Sequence, residues 1–193
     1  MPITENRAKK LEQITADILL QNICPDLAQT ATQLVMGYGN SDAKIVFIGE
    51  APGKQEDKRG IPFVGAAGKL LDQMLEANTL TRNEVYITNI VKYRPPNNRD
   101  PSSEEKKAFW PYLLRELAVL QPLVIATLGR HSMEYFLPAK KISDIHGQPT
   151  KITVGDQTVT LLPLYHPAAA LYNGKLRETL FEDFAMLPQL LEI

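Results

Sequence analysis

At 193 residues the chain has the length of one ordinary domain, enough to bury a sizeable core. Its formal net charge of −1 provides no global positive field, so a nucleic-acid partner has to be met by a local patch of charge. The single cysteine, Cys24, excludes an internal disulfide and cannot alone build a zinc or iron–sulfur site; with no secretory signal order at the start and no apolar run near the ~20 residues of a membrane span, a soluble intracellular protein is expected.

The chain opens with a helical apolar stripe, Leu11, Ile14, Ile18 and Leu19. Residues 1–26 read as a helical segment of the same single domain as the remainder, 1–193. A polar, turn-rich passage through Cys24-Pro25 and Gly37-x-Gly39 leads to KIVFI (44–48), a β-branched apolar run that predicts a buried strand. The two glycines precede this strand, whereas a dinucleotide-binding loop follows one, and Gly68-Lys69 is followed by Leu70, so no phosphate-binding P-loop is present.

After the strand runs GEAPGKQEDKRGIPFVGAAG (49–68), a long polar, Gly-rich loop. It enters a helix marked by Ala67, Leu70, Leu71, Met74 and Leu75. Val85, Ile87, Ile90 and Val91 predict a second strand ending near Thr88-Asn89, and Pro95-Pro96-Asn97-Asn98 predicts a non-helical loop beyond it. Ser102-x-x-Glu105 is a capping box opening a helix that buries Trp110, Leu113, Leu114 and Leu117. LVIATLG (123–129) is a third strand, followed by a short helix over 130–137. A hairpin turning at Gly155-Asp156 delivers a fourth strand, TVTLLPL, that ends at His166-Pro167; Leu176, Leu180 and Phe184 mark a closing helix. Strands alternating with helices predict a parallel sheet covered on both faces: an α/β fold, specifically a three-layer α/β/α sandwich on a four-stranded parallel sheet.

In such a sheet the loops at the carboxyl ends of the strands gather at one edge, where ligands bind. Those loops carry Glu50, Glu56, Asp57, Phe63, Asn89, Arg94, Asn97, Asn98, Arg99 and His166. Taken singly each has an ordinary explanation: a loop histidine, a solvated charge pair, a core phenylalanine, turn asparagines. Their convergence on predicted strand ends points to a site.

The three segments GEAPGKQEDKRGIPFVGAAG, TNIVKYRPPNNRDP and YHPAAAL, in that order, resemble the family 4 uracil-DNA glycosylases. The resemblance covers about residues 27–188 and implies removal of uracil from DNA by cleavage of the N-glycosidic bond, leaving an abasic site. A base inside a duplex is out of reach, so it must be flipped into a pocket and recognised by its Watson–Crick edge. By resemblance Phe63 is the platform on which uracil stacks, and Asn89 offers the donor and acceptor that fit uracil O4 and N3–H. His166 donates to uracil O2 as charge develops there, helped by backbone amides around Gly49 to Ala51. Glu50 and Glu56 are both candidates for polarising the water, with Asn98 helping to position it; an alternative role for the first-motif Glu is to shape the pocket against thymine's methyl group. Phosphate contacts fall to Lys92, Arg94, Asn97 and Arg99, with Lys175 and Arg177 further on, and Leu171 corresponds to an apolar wedge that fills the gap left by the flipped base.

One departure stands out. The resembled family holds a [4Fe–4S] cluster on four cysteines; here Gln21, Tyr93 and Trp110 stand at three of those positions and Cys24 alone remains. No cluster is expected, and Tyr93 and Trp110 are expected to fill its volume. A sister group cross-links to uracil-DNA through a loop histidine, which PPNNRDP lacks, so turnover is favoured. The expected protein is a monofunctional, metal-independent glycosylase acting on uracil-containing DNA, monomeric, intracellular and nucleoid-associated. Two competing readings are a non-catalytic uracil-DNA binder and a metal-dependent nucleotide hydrolase using Glu56-Asp57.

Overall fold

The β-branched run Ile45–Gly49 is buried along its whole length and sits inside a sheet, as its unbroken apolar pattern demands. In the computed structural model, which describes residues 3–191, the chain forms in order α1 (Ile3–Leu20), α2 (Pro25–Thr30), β1 (Tyr38–Gly39), β2 (Ile45–Gly49), α3 (Lys54–Arg59), α4 (Ala66–Ala77), β3 (Tyr86–Asn89), α5 (Ser103–Leu120), β4 (Val124–Leu128), α6 (Arg130–Met133), α7 (Ile142–Ile145), β5 (Thr150–Val154), β6 (Gln157–Leu164), α8 (Pro167–Ala170) and α9 (Gly174–Phe184). Single 3-10 turns lie at Pro96–Asn98 and Pro188–Leu191.

The sheet differs from the four parallel strands expected: it is six-stranded and mixed, in the order β1-β3-β2-β4-β6-β5. The pairs β2–β3, β2–β4 and β4–β6 are parallel, while β1 and β5 pair antiparallel at the two edges. The two-residue β1 lies in a Gly-rich passage with no periodicity to announce it. Of the hairpin, β5 is half exposed, and its turn sits at Gly155, whose φ of 59° suits glycine.

Side chains of β2 alternate between two cores, as a strand covered on both faces requires. Val46 and Ile48 pack with Ile14 and Ile18 of α1 and with Phe109, Leu113 and Leu117 of α5. Ile45 and Phe47 pack with Leu70, Leu71 and Met74 of α4 and with Leu180 and Phe184 of α9, Phe47 stacking on Phe184 at 5.6 Å. Leu19, expected on the buried stripe, is 55% exposed. The capping box forms as written: Glu105 N–H donates to Ser102 Oγ and Ser102 N–H to Glu105 Oε2.

Lys92 does not meet DNA. It is wholly buried, and its ammonium donates to Glu116 Oε2 (2.6 Å), Thr88 Oγ1 (2.8 Å) and the Asn89 carbonyl (2.7 Å). Burial lowers its pKa from the usual lysine value, against the opposing pull of Glu116. The network ties the carboxyl end of β3, where Asn89 sits, to the middle of α5. Removing one partner of such a pair strands a buried charge. Glu116→Ala is therefore expected to lose ~3–5 kcal/mol of stability in urea denaturation, and a loss under ~1 kcal/mol would contradict a structural role for the pair.

Candidate active site

The loops that leave β2, β3 and β6 enclose a pocket of about 300 Å³. Its lining includes Glu50, Ala51, Glu56, Phe63, Asn89, Asn98, Arg99 and His166, so most of the residues expected to form a site are brought together. Gly49 lies under its floor: a Cβ there would come within 2.4 Å of Asn89 Oδ1 and 2.6 Å of Phe63 Cζ. Glycine at this position is what lets the amide and the ring approach the backbone.

Phe63 is held in an unusual conformation. Its φ is 53°, in the left-handed region that a bulky residue rarely enters. Three contacts fix it. Arg82 Nη2 donates to the Phe63 carbonyl and Nη1 to that of Pro62 (3.2 Å), with Nε on Asp72 (2.5 Å). Gly68 gives the Phe63 carbonyl room, since a Cβ there would lie 1.8 Å from that oxygen. Glu56 Oε1 accepts the next two amides, Val64 N–H (2.9 Å) and Gly65 N–H (2.8 Å), just ahead of α4. Glu56 itself comes from α3, a helix within what the sequence suggested was open loop. Its neighbour Asp57 is buried and accepts from Thr32 N–H and Oγ1, both at 2.8 Å.

Opposite the ring stands His166, its centroid 5.7 Å from that of Phe63. Nδ1 accepts the Ala168 amide (3.1 Å) as the cap of α8, which puts the ring proton on Nε2. Burial, then the nearby His131, pushes the pKa down to about 4, so the ring is neutral at physiological pH. Asn89 is also buried, and its Oδ1 has no protein partner. The pocket thus offers an aromatic face, an amide oxygen and an imidazole N–H around one space.

Glu50 is the electrostatically distinctive group. Burial first, and Asp100 second, raise its carboxyl pKa to about 7, against the opposing effects of Lys106 and Arg130. Its Oε1 has no hydrogen-bond partner and lies 3.5 Å from His131 Nε2.

A model of the Uracil DNA glycosylase superfamily matches residues 36–186. The chain belongs to that superfamily. It is 46% identical over 186 residues to a Type-4 uracil-DNA glycosylase of Sulfurisphaera tokodaii, covering 93% of this chain and 84% of the relative. It is 44% identical over 187 residues to that of Archaeoglobus fulgidus, covering 94% of each, and 39% identical over 181 residues to that of Thermotoga maritima, covering 92% of each.

Around the glycosylase pocket the expected DNA contacts are less uniform. Arg94 Nε donates to Asn98 Oδ1 (2.7 Å), while Asn97 and Asn98 both take left-handed φ values, 56° and 54°. The guanidinium of Arg99 is bidentate on Glu105 (2.8 and 2.5 Å). Arg177 donates to Gln73 (2.7 Å), and Lys175 is exposed. Leu171, expected as an apolar wedge, is half-buried against the core beneath α8, while its neighbour Tyr172 is 98% exposed. Sequence reasoning missed Arg82, Asp100 and His131. Arg82 lacks any motif, and the other two act through positions that only the fold brings to Glu50. No described helix is long and apolar enough to cross a membrane.

Because Glu56 satisfies two loop amides through one oxygen, its charge and its hydrogen bonds separate experimentally. Glu56→Ala should lose ~1–3 kcal/mol in thermal unfolding through orphaned amides, whereas Glu56→Gln keeps an acceptor and should melt near the parent. Equal losses in both variants would contradict this role.

Proposed function

We propose that this protein is a uracil-DNA glycosylase, which flips uracil out of DNA and hydrolyses its N-glycosidic bond to leave an abasic site. The observation that carries this reading is the convergence of Phe63, the unpartnered Asn89 Oδ1 and the His166 Nε2–H on one pocket. Uracil stacks on Phe63, a contact worth ~1–3 kcal/mol. Its N3–H donates to Asn89 Oδ1, and the Asn89 amide donates to O4; cytosine reverses both and is rejected.

As the C1′–N1 bond lengthens, negative charge moves onto uracil O2, where the neutral His166 donates from Nε2. Comparable donors contribute ~2.7–4 kcal/mol. Neutrality suits this task, since a ring of pKa about 4 donates a hydrogen bond without giving up its proton to the leaving base. Glu50 orients the water that attacks C1′, with Asn98 beside it. Glu56, whose Oε1 is already occupied by two amides, shapes the base pocket. Phosphates are met by Arg94, Arg99 and Lys175.

The family's iron–sulfur cluster does not fit these residues. At its positions Gln21 accepts from the Tyr112 hydroxyl (2.7 Å), Tyr93 sets its edge on Phe109 (6.0 Å), and Trp110 packs on Tyr135 (4.6 Å) and Phe136 (5.3 Å). The remaining thiol, Cys24, is raised to about 11 by burial, the reverse of what a thiolate ligand needs. Aromatic packing takes the place of the cross-link. Protein purified without oxygen should carry no stoichiometric iron by colorimetric assay; one cluster's worth of iron per chain would overturn this.

The enzyme acts as a monomer inside the cell and needs no metal. The competing reading, a binder without turnover, is disfavoured because Glu50, Asn89 and His166 line one pocket together. A labelled oligonucleotide with one deoxyuridine, incubated in EDTA, should give strand cleavage only after alkali, with multiple turnovers and no action on thymine. His166→Ala should lower the rate about 10²–10³-fold. Glu50 works as the carboxylate, so kcat/KM should fall as pH drops through about 7. Retarded migration of uracil-DNA without cleavage would instead favour the binder.

A further inference from the structure

Where the chain leaves the base pocket, it carries an aromatic ring out into solvent. Tyr172 is 98% exposed, more than any other large apolar side chain among the described residues. A single exposed apolar residue is ordinary on a protein surface. What sets Tyr172 apart is its mounting and its place.

The mounting is rigid on both sides. His166 caps α8 by accepting the Ala168 amide. The helical winding then continues past Ala170: Leu171 N–H donates to the Ala168 carbonyl and Asn173 N–H to that of Ala170, each at 3.4 Å. Leu171 packs against the core beneath α8. On the other side Asn173 caps α9, its Oδ1 accepting Leu176 N–H at 3.1 Å. Arg177 Nη2 ties the first turn of α9 to Gln73 of α4 at 2.7 Å. The backbone at Tyr172 is thus fixed between two capped helices, while its ring belongs to neither core.

The place is the rim of the base pocket. Ala168 lines that pocket, and residues four apart in a helical winding share one face, about 5–6 Å from each other. Tyr172 therefore stands one turn beyond the rim. Lys175, exposed, lies at the start of α9 and supplies the positive charge that a phosphate chain needs. A preset aromatic face beside a cation is the arrangement that holds single-stranded nucleic acid, whose bases stack on such rings with little regard to sequence.

We propose that Tyr172 is a second stacking platform: it takes the base next to the flipped uridine and gives the protein its grip on single-stranded uracil-DNA. The proposal rests on the glycosylase reading and extends it to the state of the strand. In a single strand the neighbouring base has a free face, which the ring covers. In a duplex that base is already stacked and paired, and those contacts have to break before it reaches Tyr172. The ring therefore contributes most where uracil lies in an unpaired strand. Phe63 and Tyr172 divide the work: one holds the base to be removed, the other the base that stays.

The test compares the parent, Tyr172→Phe and Tyr172→Ala, with folding checked by thermal melting. Kd is measured on single-stranded and duplex oligonucleotides carrying one 2′-fluorinated deoxyuridine, which resists glycosidic cleavage; uracil release is measured on the unmodified strands. In further single strands, the nucleotide on one or the other side of the uridine is replaced by an abasic spacer. On single strands Tyr172→Ala should weaken Kd about five- to a hundredfold, the range for losing one base–aromatic stack, while Tyr172→Phe stays within about twofold. On duplexes the loss should be smaller. A spacer at one of the two neighbouring positions should cost the parent a similar factor and cost Tyr172→Ala nothing further, as a shared contact requires. Equal single-strand binding by the parent and Tyr172→Ala, or the same spacer penalty in both, would overturn the stack and leave the glycosylase reading standing. A parent that binds but releases no uracil would overturn that reading, and the binding comparison would still decide the stack.

Discussion

The backbone of Phe63 is the constraint on which the site depends. Holding a bulky residue at φ 53° costs on the order of 1–3 kcal/mol, and the chain offsets this from three directions at once. A guanidinium grips the carbonyl, an absent Cβ at Gly68 makes room for it, and a carboxylate collects the amides that follow. The gain is placement. The ring is turned inward over Gly49, whose own lack of a side chain lets Asn89 come alongside. A ring on a free loop would have to be ordered by whatever enters the pocket, whereas this one is ordered beforehand.

The parallel strands then do for electrostatics what this loop does for shape. Their carboxyl ends bring a neutral histidine, a carboxyl with its pKa near neutrality and an amide side chain within one small space. The tie from Lys92 to Glu116 and the Asn89 carbonyl anchors the end of β3 from behind, so the Asn89 amide in the pocket is mounted on a fixed support. Opposite shifts at Glu50 and His166 arise from the same cause, burial, which disfavours the charged form of either group. One is thereby left able to exchange a proton near neutral pH, and the other left unable to.

Much of the lining of the candidate pocket was legible because strand ends can be inferred from apolar runs and the three motifs fall on them. Phe63, Asn89 and His166 were found in this way. The errors had definite causes. Lys92 looked like a phosphate contact because charge in a sequence carries no sign of burial, and its partner Glu116 lies 24 residues away. The half-burial of Leu171 was equally hidden, because it depends on the packing of α8 against a distant core. The edge strands escaped because two residues of β1 set up no period, and α3 escaped because a six-residue helix inside KQEDKR has no apolar stripe to betray it. His131 could not be connected to Glu50, since the link between them is made across the sheet edge and not along the chain.

The packing around Tyr93 and Trp110 has a chemical corollary. Oxidants and electrophiles attack the thiolate, not the thiol, and the sole cysteine of this chain has a pKa of about 11. About one molecule in ten thousand would carry the reactive form at neutral pH, by the tenfold step per pKa unit. The Cys24 thiol therefore presents almost nothing for an electrophile or a disulfide to attack, and it stays a packing group and not a reactive one.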